Sequence, residues 1–359
     1  MKKVLVVITT AYIPTGGLAS VMMNYYRNID RSGLKVDFAS TNEAPKVLTD
    51  ELEANGSRYI QLPKRKNVFG YFNALRKVCK GYDVVHINGN SATTVIELLA
   101  AKMAGVKKRI NHNHTSIPDH KTTSDIFYPL FKRLVTERIA CSDLAGNWLY
   151  GEGNFMLLRN AVDVEKYRFT VEKRTTIRKD FGISDDSIVI GHLGKIYKPK
   201  NHLYLVKIFY EYHQLNPNSK LFLVGDGVMR QDIETFVEEL GIRDHVIFAG
   251  LRTDVPDMLQ VMDYFVFPSI WEGMPLSVLE ALSSGLTCVI SDRITKDVLI
   301  GPHVSSLSIE EQPMVWAKYL NSHPLPNRSI ACNESAELIT EAGYNIKVEA
   351  KELLKLYNS

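Results

Sequence analysis

Two glutamates, Glu272 and Glu280, are set in the segment YFVFPSIWEGMPLSVLEALSSG, residues 264–285. An apolar run ends there at Pro268-Ser269, and helical spacing resumes close to Pro275, a residue suited to a first helical turn. The pattern predicts a strand, a loop carrying Glu272 and a helix carrying Glu280. Backbone N–H groups of Gly273, Met274 and the residues after Pro275, beginning with Leu276, are expected to be free at the helix start, where a diphosphate fits. Ionised carboxylates only accept, so two of them suit vicinal hydroxyls on the hexose and the ribose of a sugar nucleotide. As an isolated pair they would read as a solvated helix residue and a charge favoured by the helix dipole. The strand, loop and helix around them favour the ligand.

Gly194-Lys195 and Lys200-Asn201 follow the run SIVIGHLG. Glycine lets phosphate approach the backbone, and two cations can neutralise the charge that develops on a departing nucleoside diphosphate without a metal. Alone, KIYKPKNH also reads as a basic surface loop. Gly16 and Gly17 follow the first apolar run, at a spacing that is not GxGxxG and argues against a dinucleotide fingerprint. His112 and His114, in KRINHNHTS, are expected to diverge to opposite faces of an extended segment, so that one of them faces the ligand. Either could equally be a core or surface histidine, and no third ligand is near enough in sequence for zinc. Asn88, Asn90 and Ser142 stand at other strand ends, where they line an acceptor or serve as turn and cap residues.

These residues need a scaffold that collects loops at one end of parallel strands. Short β-branched runs supply it: KVLVVIT, KVDFAS, DVVHIN, KRINHNH and ERIACS, then SIVIGHLG, KLFLVGDG, HVIFAG, YFVFPS and TCVISD. Continuous apolar runs suit strands covered on both faces, and helical-period segments such as RQDIETFVEELGI separate them. The fold class is therefore α/β, with two doubly wound parallel sheets in succession.

The 359 residues, 45% hydrophobic and 23% charged, are enough for two cores. Cys79, Cys141, Cys288 and Cys332 form no CxxC pattern, which suits a reducing cytoplasm better than a disulfide framework. The N-terminal apolar run is only about seven residues long and reads as a strand, not a leader. No stretch approaches the roughly 20 apolar residues of a bilayer span. Residues 1–165 carry 22 Lys and Arg against 15 Asp and Glu, whereas the remainder carries 21 against 25. A first half that is basic suggests an anionic partner, and ordinary solvated surface accounts for it equally well. KRKNVFGYFNALRKVCKGY, residues 64–82, could lie on an anionic membrane or be a solvated helix whose aromatics face the core. Nucleic acid is not expected as a partner.

EGMPLSVLE matches the E-x7-E motif of retaining glycosyltransferase family 4, and the chain resembles that family over almost its whole length. Gly16-Gly17, LLRNAVDVEKY, HLGKIYKPKNHLYLVKIF and LVGDG are similar to its other landmarks in the same order. The resemblance is greatest to bacterial exopolysaccharide and capsule enzymes. It implies a GT-B fold of two Rossmann-like domains facing across a cleft: residues 1–165 for the acceptor, 166–343 for the donor, and a terminal helix, 344–359, returning to the first domain. It also implies that Glu280 holds the ribose, Glu272 the transferred sugar, and Gly273-Met274 a phosphate. A histidine at the strand end contacts the sugar, with His114 favoured and His112 left open. Lys195 stands where the family has Arg, a point charge in place of a fork.

The expected activity is retaining transfer of a hexosyl group from a nucleoside diphosphate sugar, with UDP expected first, to a glycan or polyisoprenoid-linked saccharide. No metal and no cofactor are expected. Alternatives are a sugar-nucleotide 2-epimerase of the same fold, a non-catalytic glycan-binding subunit and, disfavoured by the glycine spacing, a NAD-dependent oxidoreductase.

Overall fold

The computed structural model describes residues 1–9, 18–115 and 121–359. Contacts divide the chain into two units, Met1–Ala161 together with Ile346–Ser359, and Val162–Asn345.

In the first unit the strands are β1 (Lys2–Ile8), β2 (Leu34–Ser40), β3 (Tyr59–Gln61), β4 (Val84–Asn88), β5 (Lys108–Asn113), β6 (Glu137–Ala140) and β7 (Met156–Leu157). They form one parallel sheet in the order β3-β2-β1-β4-β5-β6-β7. Its helices are α1 (Leu18–Asn28), α2 (Lys46–Ala54), α3 (Val68–Val78), α4 (Val95–Met103), α5 (Lys121–Leu134) and α6 (Asp143–Tyr150).

In the second unit the strands are β8 (Ile188–Leu193), β9 (Ser219–Val224), β10 (Val246–Gly250), β11 (Tyr264–Phe267), β12 (Thr287–Ser291) and β13 (Val304–Leu307), in the parallel order β10-β9-β8-β11-β12-β13. The helices are α7 (Val171–Asp180), α8 (His202–Leu215), α9 (Arg230–Glu239), α10 (Val255–Val261), α11 (Leu276–Ser283), α12 (Pro313–Ser322) and α13 (Arg328–Glu341). A last helix, α14 (Ile346–Asn358), belongs to the first unit and packs on α1.

Strand alternation explains why the central runs are apolar without interruption. Val4, Val6 and Ile8 join the core under α1 and α14, while Leu5 and Val7 join the one under α3 to α6. In the second unit Phe265 and Phe267 pack with α10, α11 and α13, and Val266 with α8 and α12. Both sheets are thus double-faced, and the strand order of each reverses at one point, between β1 and β4 and between β8 and β11. Loops at the carboxyl ends of strands flanking such a reversal are where this architecture binds ligands.

Candidate functional site

The reversal between β8 and β11 brings together the loops that carry Lys200 and Glu272. Asn201 holds them in place. It has φ 58°, the one left-handed conformation at a non-glycine among the described residues, and its amide donates to the Pro268 carbonyl at 3.1 Å. A second tie runs from the Ile270 N–H to the Pro199 carbonyl at 2.8 Å. Between them Lys200 Nζ lies 2.8 Å from Glu272 Oε1 and 4.3 Å from the centre of the Phe267 ring. Both side chains are largely covered, at 12% and 18% exposure. Burial lowers the proton affinity of Lys200, and Glu272 opposes that shift. Lys195 is exposed, with Nζ 5.8 Å from the Tyr197 ring, and the structure gives it no part in this pair.

Glycine is required where the β8 and β9 loops meet backbone to backbone. A Cβ on Gly225, whose φ is +135°, would lie 2.0 Å from the Gly194 carbonyl oxygen, and one on Gly227 would lie 2.2 Å from that of Ile196. Their absence lets Gly194 N–H reach Val224 and Ile196 N–H reach Asp226 at 3.0 and 2.9 Å. The loop bearing Lys195 and Lys200 is therefore held on both sides.

Helix α11 starts at Leu276 after Pro275, with no side chain capping its first N–H groups. Gly273 is exposed and a Cβ there would meet open space, while Met274 and Leu276 pack partly into the core and anchor the turn. Glu280, on the second turn, accepts from the Tyr167 hydroxyl at 2.8 Å. Burial raises its proton affinity and the Tyr167 hydrogen bond works against that.

Sequence reasoning missed three groups at this place: Tyr167, His192 and His202. His192 is fully buried, donates from Nδ1 to the Val266 carbonyl at 2.8 Å and leaves Nε2 unpartnered. The ring of His202 lies 4.7 Å away at 75°. Burial, and then the Lys200 charge, hold His202 down at about 4, so its imidazole is neutral near pH 7. The only signal in the sequence was that both histidines sit within two residues of the glycine and lysine already singled out.

In the first unit one expectation is overturned. His112 and His114 do not diverge: their ring centres are 3.8 Å apart. Residues two apart on a strand point to the same face, so the alternation that was expected to separate them stacks them instead. His112 is fully buried behind His114, with His86 stacked on its other side at 5.4 Å. His114 is partly exposed, and its Nε2 is 3.0 Å from Asn88 Oδ1. Burial, with His86 behind, holds His114 down at about 3, so it is neutral. Asn88 is fully buried, Asn90 keeps a buried Oδ1 without a partner, and Ser142 caps α6 by accepting from the Ala145 N–H at 3.2 Å. Gly16 and Gly17 lie outside the described residues. In the basic segment Tyr71 faces the core and Arg65 is paired with buried Glu97 at 2.8 Å, whereas Phe69 is 85% exposed.

Among the described residues no cluster of His, Cys, Asp or Glu could hold a metal ion, and no helix is long and apolar enough to cross a membrane. Residues 173–323 match the family model for glycosyl transferases group 1. The chain is 30% identical to the putative glycosyltransferase EpsF of Bacillus subtilis (strain 168), over 96% of this chain and 93% of that one. It is 28% identical to an Escherichia coli UDP-Gal:alpha-D-GlcNAc-diphosphoundecaprenol alpha-1,3-galactosyltransferase, over 68% of this chain and 66% of that one. The crystal structure of Anabaena HepE in complex with UDP is similar throughout, with a TM-score of 0.81, 16% identity and full coverage of both chains.

Proposed function

This chain belongs to the glycosyl transferases group 1 family, with the GT-B fold, and from that premise we propose that it moves a hexosyl group from a UDP-sugar to a lipid-linked saccharide in polysaccharide synthesis. The observation that carries the reading is the Lys200–Glu272 pair at the β8/β11 reversal, beside the uncapped start of α11. UDP is favoured because the E. coli relative uses UDP-Gal and the Anabaena neighbour was solved with UDP; the lipid-linked acceptor follows from the same E. coli relative.

In this reading the diphosphate takes Lys200, Lys195 and the α11 N–H groups, the ribose takes Glu280, and the hexose takes Glu272. The acceptor oxygen forms its bond to the anomeric carbon as the bond to the diphosphate breaks, and the acceptor proton passes to the leaving phosphate oxygen, with retention. His114, being neutral, offers hydrogen bonds and no proton transfer near pH 7. Positive charge from lysines makes a divalent metal unnecessary. Exposed Val68 and Phe69 on the basic α3 would bring the enzyme to an anionic membrane on the cytoplasmic side, where such acceptors are held.

The test is turnover of UDP-, GDP- and ADP-sugars with a polyisoprenyl diphosphate saccharide in anionic vesicles, with and without chelator. Release of UDP only when acceptor is present, unchanged by chelator, is expected; conversion of the donor to its 2-epimer without acceptor would indicate epimerase chemistry, and no donor consumption a binding subunit. Vesicle binding should weaken as salt rises.

A further inference from the structure

Two groups that the donor would engage separately hold each other: Lys200 Nζ and Glu272 Oε1 at 2.8 Å, at only 12% and 18% exposure. Neither is free to drift off. Lys200 stands on the Phe267 ring, and the Ile270–Pro199 hydrogen bond ties its loop to the segment that carries Glu272. The Glu272 backbone is in turn bridged to Ile294, beyond the end of β12. A diphosphate that takes Lys200 therefore competes for its ammonium group with a carboxylate that stays where it is. What happens to that carboxylate depends on the ligand. A nucleoside diphosphate sugar brings hexose hydroxyls that donate to it, whereas a nucleoside diphosphate has only its ribose hydroxyls, assigned above to Glu280, and adds negative charge beside Glu272.

We propose that the Lys200–Glu272 ion pair distinguishes donor from product, with Glu272 as the specificity-determining group that favours UDP-sugar over UDP and speeds release of UDP once the sugar has left. This rests on the donor-site reading above. It gives Glu272 an effect on the nucleotide alone, which a carboxylate that merely held the sugar would not have.

The experiment is calorimetry on the full chain with UDP, and with the UDP-sugar that supports turnover, for the wild type, Glu272→Gln and Glu272→Ala. Both variants are expected to bind UDP more tightly, by roughly three- to tenfold, because Lys200 no longer leaves a partner to reach the diphosphate. Both are expected to bind the UDP-sugar more weakly. Product inhibition by UDP should strengthen in the same proportion. UDP binding that is unchanged or weaker in both variants overturns the inference while leaving the donor site in place. Absence of UDP binding in the wild type overturns the donor-site reading itself.

Discussion

Glu280 is a carboxylate already oriented by its own unit. Tyr167 donates to one oxygen at 2.8 Å, which leaves the other for a ligand. If that ligand is ribose, Glu280→Gln should weaken UDP binding by about 1.5 to 3 kcal/mol, the range for hydrogen bonds to a charged group. Tyr167→Phe should weaken it in the same direction by about 1 kcal/mol, since it removes only the orienting bond. Calorimetry with UDP alone reads both. Two variants that bind like wild type would remove Glu280 from the nucleotide site. The histidines teach a related lesson: spacing on a strand determines which side chains share a face, and burial then decides their charge.

Among the elements, the short helix α10 has an end built from other parts of the chain. It is followed by Met262 with no glycine cap, and its last carbonyls are taken by arginines. Arg178 reaches the Val261 oxygen at 2.8 Å, and Arg328 those of Gln260 and Met262 at 2.9 and 2.6 Å. Arg174 reaches Met262 at 3.1 Å. Asp263 is the nearby anion, at 2.6 Å from Arg174 and 2.7 Å from Arg178, and it also accepts from the Val189 N–H at 2.7 Å. Burial first, and then repulsion from Arg174, bring Arg328 down to about 9, so the cluster is short of negative charge. Asp263 stands just before β11, whose far end leads into the loop with Glu272. Asp263→Asn should therefore destabilise the second unit by about 3 to 5 kcal/mol, as breaking a buried pair does, measured by urea unfolding. A loss under about 1 kcal/mol would mean that the helix carbonyls alone suffice.

Across the whole molecule, neutral histidines recur in both units. His86 and His114 are held down at about 3 and His202 at about 4, and His112 and His192 lie well below the ordinary value, all chiefly by burial. Unfolded histidine binds its proton near pH 6.5. Between that value and the folded ones only the unfolded chain takes up protons, so stability is complete above about pH 6.5 and falls as the pH drops. Each such group removes up to about 2 kcal/mol between pH 6.5 and 5. Urea midpoints at pH 7.5 and 5.5 should differ clearly, and equal midpoints would show that these rings are protonated in the folded protein. His86 adds a link to the far end of the chain, with Nδ1 2.7 Å from the Tyr357 hydroxyl of α14.

The double-faced sheets were legible because a strand covered on both sides must be apolar throughout, a local property of the sequence. The loop and helix around EGMPLSVLE were legible for the same reason, since proline and helical spacing act within a few residues. Partners were not. Lys200 meets Glu272 because β8 adjoins β11, Tyr167 meets Glu280 across 113 residues, and His86 meets Tyr357 across 271. Nothing in the spacing names these pairs: which side chains touch is set by which strands pair and which helix covers them, and that is decided by long-range packing of the folded chain.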